Sequence, residues 1–519
     1  MRLIQLPLAV FFILVQLSLS AQETSRLQRS TPEAEGISSK AILNFIHAVN
    51  NSKNELHSFI LVRHGKVVAE TWWKPYAPEL KHTLYSTSKS FTSTAIGFLV
   101  SEKKITVDDK VISFFPEYLP DSIIPFLSQL KIKDLLTMST GQYPEPTTAV
   151  LSNFNENNWV KGFLHFPITY EPGTKFNYNS LGTYMLSAIV QKVSGEKLID
   201  YLTPRLFTPL GITGMDWETD PMNRNTGGWG LRLKTEDMAK FGQLLLQKGE
   251  WKGKQIIPSS WIEEATTTKI EQMPGVPATD SNKISSDWAQ GYCYQFWRCR
   301  NNAFRADGAF GQYIVVMPDQ DAVVVITCET ANMQDELNLV WDYLLPAFQP
   351  APLPVNKKSY KQLTTTLASQ SLQPLPVSSN TSTEQMIADK QYMLEGVKNS
   401  IRSVSVSFQK NECILTAKYD TSTYSFHFGS GKWITGETTK PGPGLLAAAK
   451  NSSAGLSPFK TAGTYNWIST DSLQLKLRYI ESPHTETFLL VFDGDNVSVT
   501  ITPSNNTQMA VKRKGKINQ

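Results

Sequence analysis

Hydrophobic and polar positions change their spacing several times along this chain of 519 residues. Residues 56–64 and 66–73 are rich in apolar and β-branched side chains and meet at Gly65, a pattern that predicts a β-hairpin. Residues 86–100 carry apolar side chains at helical spacing, which predicts a helix soon after the hairpin. The same reasoning predicts helices at 133–138, 181–193 and 235–247, and strands at 291–297, 310–318 and 322–327. Early strands, a helical middle and late strands indicate an α/β body in which both ends complete one sheet.

The pattern changes after residue 348. Residues 349–383 contain two Pro-rich stretches and a Ser/Thr/Asn cluster, which is the composition of a linker. Beyond residue 384, short alternating runs are separated by Gly and Asp turn residues; they lie at 403–408, 413–419, 424–428, 473–479, 487–492 and 496–502. This pattern predicts a small antiparallel β domain over 384–515, either a barrel or a sandwich.

The first 21 residues have the pattern of a secretory signal peptide. Arg2 gives a positive start, residues 6–17 form an apolar run, and small residues suit cleavage after Ser20 or Ala21. The run is too short for a membrane span, and no later apolar stretch is long enough to cross a bilayer. We therefore expect an exported protein, periplasmic or extracellular, with no membrane span after signal removal.

Composition excludes several classes of protein. With 41% apolar, 11% aromatic and 18% charged residues, the chain is neither disordered nor fibrous, and its length predicts two or more domains. A net charge of +4 gives no electrostatic argument for a nucleic-acid partner. Four cysteines are too few for a disulfide scaffold and show no zinc-site spacing. Two Cys residues among Cys293, Cys299 and Cys328 could form one disulfide, or all three could be buried free thiols; the sequence leaves both alternatives open.

The first candidate for chemistry is Ser86-Thr87-Ser88-Lys89. Ser-x-x-Lys occurs six times in the chain, but only this copy opens a long amphipathic helix after the early hairpin. Residues i and i+3 share a helix face, so Lys89 can lie beside the Ser86 hydroxyl. Unpaired N–H groups at a helix start can hold an oxyanion, and a partly desolvated lysine can accept a proton. A G-x-S-x-G elbow is absent, which argues against an α/β-hydrolase.

Two further motifs follow along the chain. Tyr178-Asn179-Ser180 lies between a Pro-Gly loop and a helix start, where a tyrosine can act as acid or base if nearby cations lower its pKa. Residues 307–312 (Asp-Gly-Ala-Phe-Gly-Gln) enter a predicted strand, and glycines there allow a ligand to approach the backbone closely. A strand N–H at this point can supply a second oxyanion donor. Taken alone, Tyr178 is equally consistent with a tyrosine that packs between two domains, and residues 307–312 are equally consistent with an ordinary β-turn.

In this order the three motifs resemble the serine β-lactamase and penicillin-binding-protein superfamily. The resemblance is closest to its class C-like branch of esterases, D,D-peptidases and 6-aminohexanoate-dimer hydrolases. Other stretches similar to that family are 85–90 (Tyr-Ser-Thr-Ser-Lys-Ser), 132–141 (Ile-Lys-Asp-Leu-Leu-Thr-Met-Ser-Thr-Gly), 172–180 (Pro-Gly-Thr-Lys-Phe-Asn-Tyr-Asn-Ser), and Gly-Gln followed by Val-Val-Met-Pro within 311–318. The resemblance covers roughly residues 30–348. It implies a domain over 22–348 with an antiparallel sheet flanked by helices and an all-helical lobe.

The resemblance also implies a role for each matched residue. Ser86 is the acylated nucleophile, and Lys89 is its proton acceptor and electrostatic partner. Tyr178 passes the proton to the leaving group and helps to activate the deacylating water. The backbone N–H groups of Ser86 and Ala309 form the oxyanion hole.

The third motif departs from the family's pattern. The family usually has Lys or His, then Thr or Ser, then Gly, where this chain has Ala306, Asp307 and Gly308. The basic residue helps β-lactamases to bind the substrate carboxylate, which Asp307 would repel. This departure disfavours β-lactam hydrolysis and favours neutral esters or amides. Asp307 and Gly308 remain candidates for substrate binding, together with Ser180, which replaces a commoner Asn, and Trp229, a pocket wall or a core aromatic.

The sequence thus predicts an exported serine hydrolase that forms an acyl-enzyme on Ser86 and cleaves a small ester, peptide or amide oligomer. No metal, nucleotide or organic cofactor is implied, and no nucleic-acid partner. The alternative is a penicillin-recognising cell-wall peptidase, or a weakly catalytic sensor or binding protein of the same fold. Substrate identity depends on loops such as 142–170 and 270–290, and the sequence indicates neither the oligomeric state nor the role of the β domain.

Overall fold

The computed structural model of the chain describes residues 26–518, apart from 123, 154–155, 397–400, 446–455 and 457. The predicted signal peptide lies outside the described residues. Within them, every helix is too short or too polar to cross a membrane. Two bodies of structure follow each other along the chain: a sheet-and-helix body, which ends near residue 348, and a β-barrel.

The body is built on a seven-stranded sheet. Its strands are β1 Gln28–Arg29, β2 Glu55–Arg63, β3 Lys66–Trp72, β4 Trp297–Arg298, β5 Phe304–Gly308, β6 Gln312–Met317 and β7 Ala322–Glu329. Their spatial order is β1-β3-β2-β7-β6-β5-β4, and all pairs are antiparallel except β1 with β3. Strands β2 and β7 are neighbours, with Phe59 opposite Ile326. Early and late strands therefore complete one sheet, which confirms the predicted fold class.

Helices cover both faces of this sheet and form a separate lobe beside it. The described α-helices are α1 Ser39–Asn50, α2 Ser88–Ser101, α3 Ile132–Leu136, α4 Thr147–Leu151, α5 Trp159–Leu164, α6 Ser180–Ser194, α7 Leu198–Leu202, α8 Thr235–Leu246, α9 Ser259–Thr266, α10 Ser281–Ser285, α11 Met333–Leu339, α12 Lys357–Ala368 and α13 Thr381–Ile387. Helices α2, α3, α5 and α7 pack around α6, whose residues 181–190 are all buried. This group is the helical lobe that the family resemblance implies.

The central strands are apolar at nearly every position because both of their faces are covered. In β2, Ile60 and Val62 join the core formed with α2 and α8, while Phe59 and Leu61 join the core formed with α1 and α11. The two cores hold the sheet between helix layers, so the strand ends that carry the candidate motifs sit on a rigid support.

Residues 291–297, predicted as a strand, form irregular backbone that ends in the short strand β4. Gly291 and Gln295 have φ of 111° and 65°, in the left-handed region that a regular strand cannot adopt. The Gln295 side chain accepts a hydrogen bond from Thr183 Oγ1 at 2.7 Å and donates to two carbonyls of α3 at 3.0 and 2.9 Å. Through the Gln295 side chain, this stretch connects the sheet to the helical lobe.

The segment 349–383, whose composition predicts a linker, contains helix α12 and the start of α13. Helix α12 packs on α1 and β3, and Thr71 Oγ1 donates a hydrogen bond to the Leu367 carbonyl at 2.6 Å. Leu363 is the one fully buried residue within α12. Because a single buried leucine gives little periodic signal, composition alone does not reveal this helix.

The second unit is a closed antiparallel barrel, which selects the barrel over the sandwich. Its strands are β8 Gln391–Leu394, β9 Ser403–Gln409, β10 Glu412–Lys418, β11 Thr423–Ser430, β12 Ile434–Thr438, β13 Phe459–Trp467, β14 Ser472–Tyr479, β15 Thr485–Asp493, β16 Asn496–Pro503 and β17 Val511–Ile517. The order is β11-β10-β9-β8-β17-β16-β15-β14-β13, and a short parallel pairing of β11 with β13 closes the ring. Strand β12 pairs with β13 beside this seam. The basic residues among 512–516 lie in β17.

The barrel docks on the body just before the predicted nucleophile. Arg478, fully buried, forms an ion pair with Glu55 at 2.6 Å, and the Thr83 N–H donates to the Glu481 carbonyl at 2.9 Å. Burial opposes ionisation of Glu55, but the Arg478 charge outweighs it and lowers the pKa of that carboxyl. A buried, hydrogen-bonded pair of this kind fixes one orientation of the two units, because separating the two residues would leave a buried charge without its partner.

Candidate active site

Ser86 lies in a single turn of 3₁₀ helix, Tyr85–Thr87, that leads directly into α2. Tyr85 has φ of 48°, a left-handed conformation that is rare for an aromatic residue. Thr87 Oγ1 donates a hydrogen bond to the Gln312 carbonyl at 2.8 Å, which ties this turn to β6. The turn presents Ser86, itself half-buried, to a cleft between the sheet and the helical lobe.

Lys89 lies one turn later on α2 and points back towards Ser86, as the i, i+3 spacing predicts. Its Nζ donates hydrogen bonds to Ser86 Oγ at 3.1 Å, to Ser180 Oγ at 3.0 Å and to the Gly228 carbonyl at 2.6 Å. An ammonium group has three protons, and each has one of these three acceptors, so the Lys89 head group is held in one orientation.

Burial lowers the pKa of Lys89 to about 7, although the carboxylates of Glu145 and Asp307 act in the opposite direction. A buried ammonium loses hydration that these partners replace only in part. At neutral pH a large fraction of Lys89 is therefore uncharged, the form that can accept a proton from Ser86.

Tyr178 completes a cluster with Ser86 and Lys89. Its ring centroid lies 5.0 Å from Lys89 Nζ, and the neighbouring Ser86 hydroxyl acts to lower its pKa. The ring stacks on Trp297 with centroids 5.7 Å apart and an interplanar angle of 21°. Burial raises the pKa of Tyr178 above its ordinary value, so the nearby cation does not make it a phenolate. Tyr178 is then a neutral phenol that can donate its O–H, and the condition of a pKa lowered by nearby cations is not met.

The third motif is a hairpin tip rather than the entry to one strand. Asp307 and Gly308 end β5, and residues 309–311 turn the chain into β6, with Gly308 opposite Gln312. A Cβ on Gly308 would lie 2.1 Å from the Leu84 carbonyl oxygen, so only glycine fits against the turn that holds Ser86. This contact places Ala309, the next residue, beside that turn.

Asp307 is held by a buried cation. Arg305 Nε donates to Asp307 Oδ2 at 2.8 Å, and Arg305 is fully buried. Burial raises the pKa of Asp307, while the charge of Arg305 acts in the opposite direction. The ion pair compensates the Asp307 charge, so this residue repels a carboxylate less than its sequence position suggests.

A cavity of about 380 Å³ adjoins Ser86. Its walls come from the body through Ser86, Ser180 and Trp229, and from the barrel through Leu445 and Phe459. Trp229 also packs on Trp159, with ring centroids 6.0 Å apart, so it is both a pocket wall and a core aromatic. Asp307 and Gly308 are not among the described residues that line this cavity.

Two contributors to the site are missing from the sequence-based prediction. The Gly228 carbonyl binds Lys89, and a Cβ on Gly228 would lie 2.7 Å from the Ser180 carbonyl oxygen. Glu145 accepts hydrogen bonds from the backbone N–H of Ser180 at 3.2 Å and of Thr147 at 3.0 Å. Glu145 belongs to the loop 142–170, but nothing in its local sequence signals that it lies near Lys89.

Replacing Glu145 by glutamine should move the acidic limb of the pH–rate profile to lower pH. The substitution removes a negative charge that raises the pKa of Lys89, and the amide oxygen still accepts the Ser180 N–H. The measurement is kcat/KM for a p-nitrophenyl ester across the neutral range. The control is Glu117→Gln, which removes an exposed carboxylate that pairs with Lys192. An unchanged limb, or a shift to higher pH, contradicts this electrostatic coupling.

Comparisons with known proteins agree with these features. Residues 57–347 match the family model described as Beta-lactamase. A 6-aminohexanoate-dimer hydrolase of Paenarthrobacter ureafaciens is 26% identical over 283 residues, which cover 52% of this chain and 71% of the relative.

Two solved structures are also similar. One is an octameric penicillin-binding protein homologue from Pyrococcus abyssi, with TM-score 0.46 and 17% identity, covering 92% of this chain and 99% of that one. The other is a family VIII carboxylesterase, with TM-score 0.48 and 16% identity, covering 61% of this chain and 98% of that one. The match to the family model takes in more than half of the chain and confirms the resemblance that the motifs indicate. The chain belongs to the β-lactamase family, which its match over residues 57–347 shows.

Proposed function

We propose that this protein is a serine hydrolase that forms an acyl-enzyme on Ser86 and cleaves a small ester or amide. The observation that carries the proposal is the contact of 3.1 Å between Lys89 Nζ and Ser86 Oγ, combined with a Lys89 pKa of about 7. A hydroxyl is a weak nucleophile until a neighbouring base removes its proton. Lys89 is a base with a suitable pKa at the required distance.

Each residue of the cluster has a defined step. Neutral Lys89 accepts the Ser86 proton as Oγ attacks the substrate carbonyl, and the resulting oxyanion is bound by the N–H groups of Ser86 and Ala309. Tyr178 donates its O–H proton to the leaving group and regains a proton from Lys89. Water then attacks the acyl carbon, its proton passes through Tyr178 and Lys89 to Ser86 Oγ, and the Ser86 Oγ–acyl bond breaks to release the acid product. Lys89 Nζ lies 3.1 Å from Ser86 Oγ and 5.0 Å from the Tyr178 ring centroid, which keeps the proposed proton path within one cluster.

The lining of the cavity supports neutral substrates. Glu218 is the one charged side chain among the described residues that line it, and Lys89 is already committed to three acceptors. No cationic side chain is among the described residues that line the cavity, so a substrate carboxylate would find no charge partner there. The volume of about 380 Å³ suits a small ligand. We therefore propose small neutral esters and amide oligomers in preference to β-lactams.

The test is a substrate panel assayed with wild type and Ser86→Ala. It contains p-nitrophenyl esters, linear amide oligomers, a chromogenic cephalosporin and D-Ala-D-Ala peptides. We expect Ser86-dependent hydrolysis of neutral esters or amides, at a kcat/KM at least about tenfold above that of the carboxylate-bearing substrates, which is about 1.4 kcal/mol of discrimination. Equal or faster turnover of the cephalosporin contradicts the substrate assignment.

The altered third motif supports one alternative, a slow sensor or binding protein of the same fold. A burst of one equivalent of product without steady-state turnover would favour that function, whereas rapid turnover excludes it. The proposal also includes export directed by residues 1–21, which rests on the sequence pattern alone.

A further inference from the structure

One histidine of the barrel is buried against the body, beside the turn that contains Ser86. His484 lies in the turn between β14 and β15 and is fully buried. Its two ring nitrogens contact two residues of the body, Glu329 at the end of β7 and Tyr85 in the turn before α2. His484 belongs to none of the sequence motifs of the proposed catalytic cluster.

The hydrogen bonds define the roles of the two nitrogens. Nδ1 lies 2.7 Å from Glu329 Oε1, and this carboxylate oxygen also accepts a hydrogen bond from Ser504 Oγ at 2.7 Å. Because a carboxylate only accepts, Nδ1 carries the proton and donates it. Nε2 is then the acceptor for the Tyr85 hydroxyl, at 2.5 Å. Burial raises the pKa of Tyr85, which keeps its phenol protonated as the donor.

The same imidazole also contacts the hairpin tip of the third motif. Phe310 packs edge-on against the His484 ring with centroids 4.7 Å apart, and it lies 5.6 Å from the Tyr85 ring. Tyr85 and Phe310 both adopt left-handed backbone conformations, with φ of 48° and 65°. Side chains of their size rarely adopt this conformation unless their surroundings hold it.

These contacts flank the two proposed oxyanion donors. Tyr85 directly precedes Ser86, and Phe310 directly follows Ala309. Each proposed N–H donor is therefore next in sequence to a residue whose side chain contacts His484. The spacing of the two donors therefore depends on where the barrel holds this imidazole. An oxyanion hole is effective only when its donors are held at the required positions before the reaction.

We infer that His484 is a positioning residue of the active site, through which the barrel sets the geometry of the oxyanion hole. The inference rests on the proposed function, because it assigns the way in which that site is held. The barrel has other anchors, such as the Arg478–Glu55 ion pair and the backbone bond between Thr83 and Glu481, so docking does not depend on His484. Loss of the imidazole should therefore affect the chemical step more than the fold.

The experiment compares His484→Leu, His484→Gln and Tyr85→Phe in the full-length protein. We expect His484→Leu and Tyr85→Phe each to lower kcat by about 10- to 100-fold, as displacement of an oxyanion donor does, with KM within about twofold of wild type. His484→Gln should recover most of kcat because its amide oxygen can accept a hydrogen bond from the Tyr85 hydroxyl. The double variant Tyr85→Phe/His484→Leu should lose little more than either single variant, because both break one interaction. His427→Gln is the matched control, since His427 is a half-exposed barrel histidine paired with Glu412.

Thermal unfolding separates positioning from folding. Tyr85→Phe removes one hydroxyl and keeps the ring, so it decides the question if His484→Leu unfolds. The inference is overturned if a folded Tyr85→Phe keeps wild-type kcat, or if the loss appears in KM alone. Wild type that neither reacts with a fluorophosphonate nor hydrolyses any ester overturns the proposed function and this inference with it. Active wild type with unaffected Tyr85→Phe overturns the positioning role alone.

Discussion

Ser86→Ala should leave the folded protein without measurable ester or amide hydrolysis, with kcat/KM reduced by about 10⁴-fold or more. The substitution removes the hydroxyl that Lys89 Nζ contacts at 3.1 Å and that acts to lower the pKa of Tyr178. Ser180 Oγ also contacts Lys89, at 3.0 Å, but it lies at the start of α6 and not in the turn that supplies the proposed oxyanion donor. The measurement is steady-state hydrolysis of the best ester from the substrate panel.

A matched serine distinguishes this loss from a general effect of substitution on α2. Ser101 also begins a Ser-x-x-Lys sequence, but it ends α2, and its hydroxyl donates to the Phe98 carbonyl at 2.9 Å. Ser101→Ala should keep wild-type kcat/KM. Retention of activity in Ser86→Ala, or an equal loss in Ser101→Ala, contradicts the assignment of the nucleophile.

The second large effect is expected for Lys89→Met. Methionine fills the space of the buried lysine stem but cannot accept the Ser86 proton, so kcat/KM should fall by about 10²- to 10⁴-fold, the usual contribution of a general base. Lys89→Arg should fail as well, because a guanidinium does not give up its proton in proteins. Thermal stability of Lys89→Met should not fall, since burying this amine already costs free energy, as its lowered pKa shows.

The pH dependence of wild type gives the same residue a second signature. Because the neutral amine is the active form, kcat/KM should be low below the pKa of Lys89, rise through about 7 and reach a plateau above it. In Lys89→Met this limb should disappear, and the residual rate should follow hydroxide concentration. A wild-type profile that falls as pH rises through 7, or a limb that persists in the variant, excludes Lys89 as the base.

Local chemistry explains how much of the site could be predicted from the sequence. Ser86 and Lys89 are three residues apart on one helix, so their contact follows from helix geometry alone. Tyr178 and Ala309 follow from the family resemblance, because nothing in their spacing requires them to meet Ser86. The fold class follows from the alternation of strand and helix patterns, and the confirmed sheet joins the predicted early and late strands.

Contacts between distant parts of the chain explain what sequence reasoning missed. Tyr85 and His484 are 399 residues apart, and His484 has no local motif that distinguishes it from the other six histidines. Glu145 and Gly228 approach Lys89 through loops whose path the sequence does not determine. Residues 291–297 have an apolar pattern typical of a strand, yet side-chain bonds from Gln295 to the helical lobe accompany a different backbone.

The cavity gives the barrel a more specific role than the sequence could assign. Leu445 and Phe459 of the barrel and Trp229 of the body line the same space beside Ser86. We therefore expect substrate preference in this protein to depend on both units, because a ligand in the cavity contacts both.

The central claim, that Ser86 is acylated, is tested most directly by mass spectrometry of the full-length protein after reaction with a fluorophosphonate. We predict a single adduct, located on Ser86 within the tryptic peptide 82–89, and no adduct in Ser86→Ala. An adduct on another residue, or an active preparation that stays unlabelled, would contradict the mechanism.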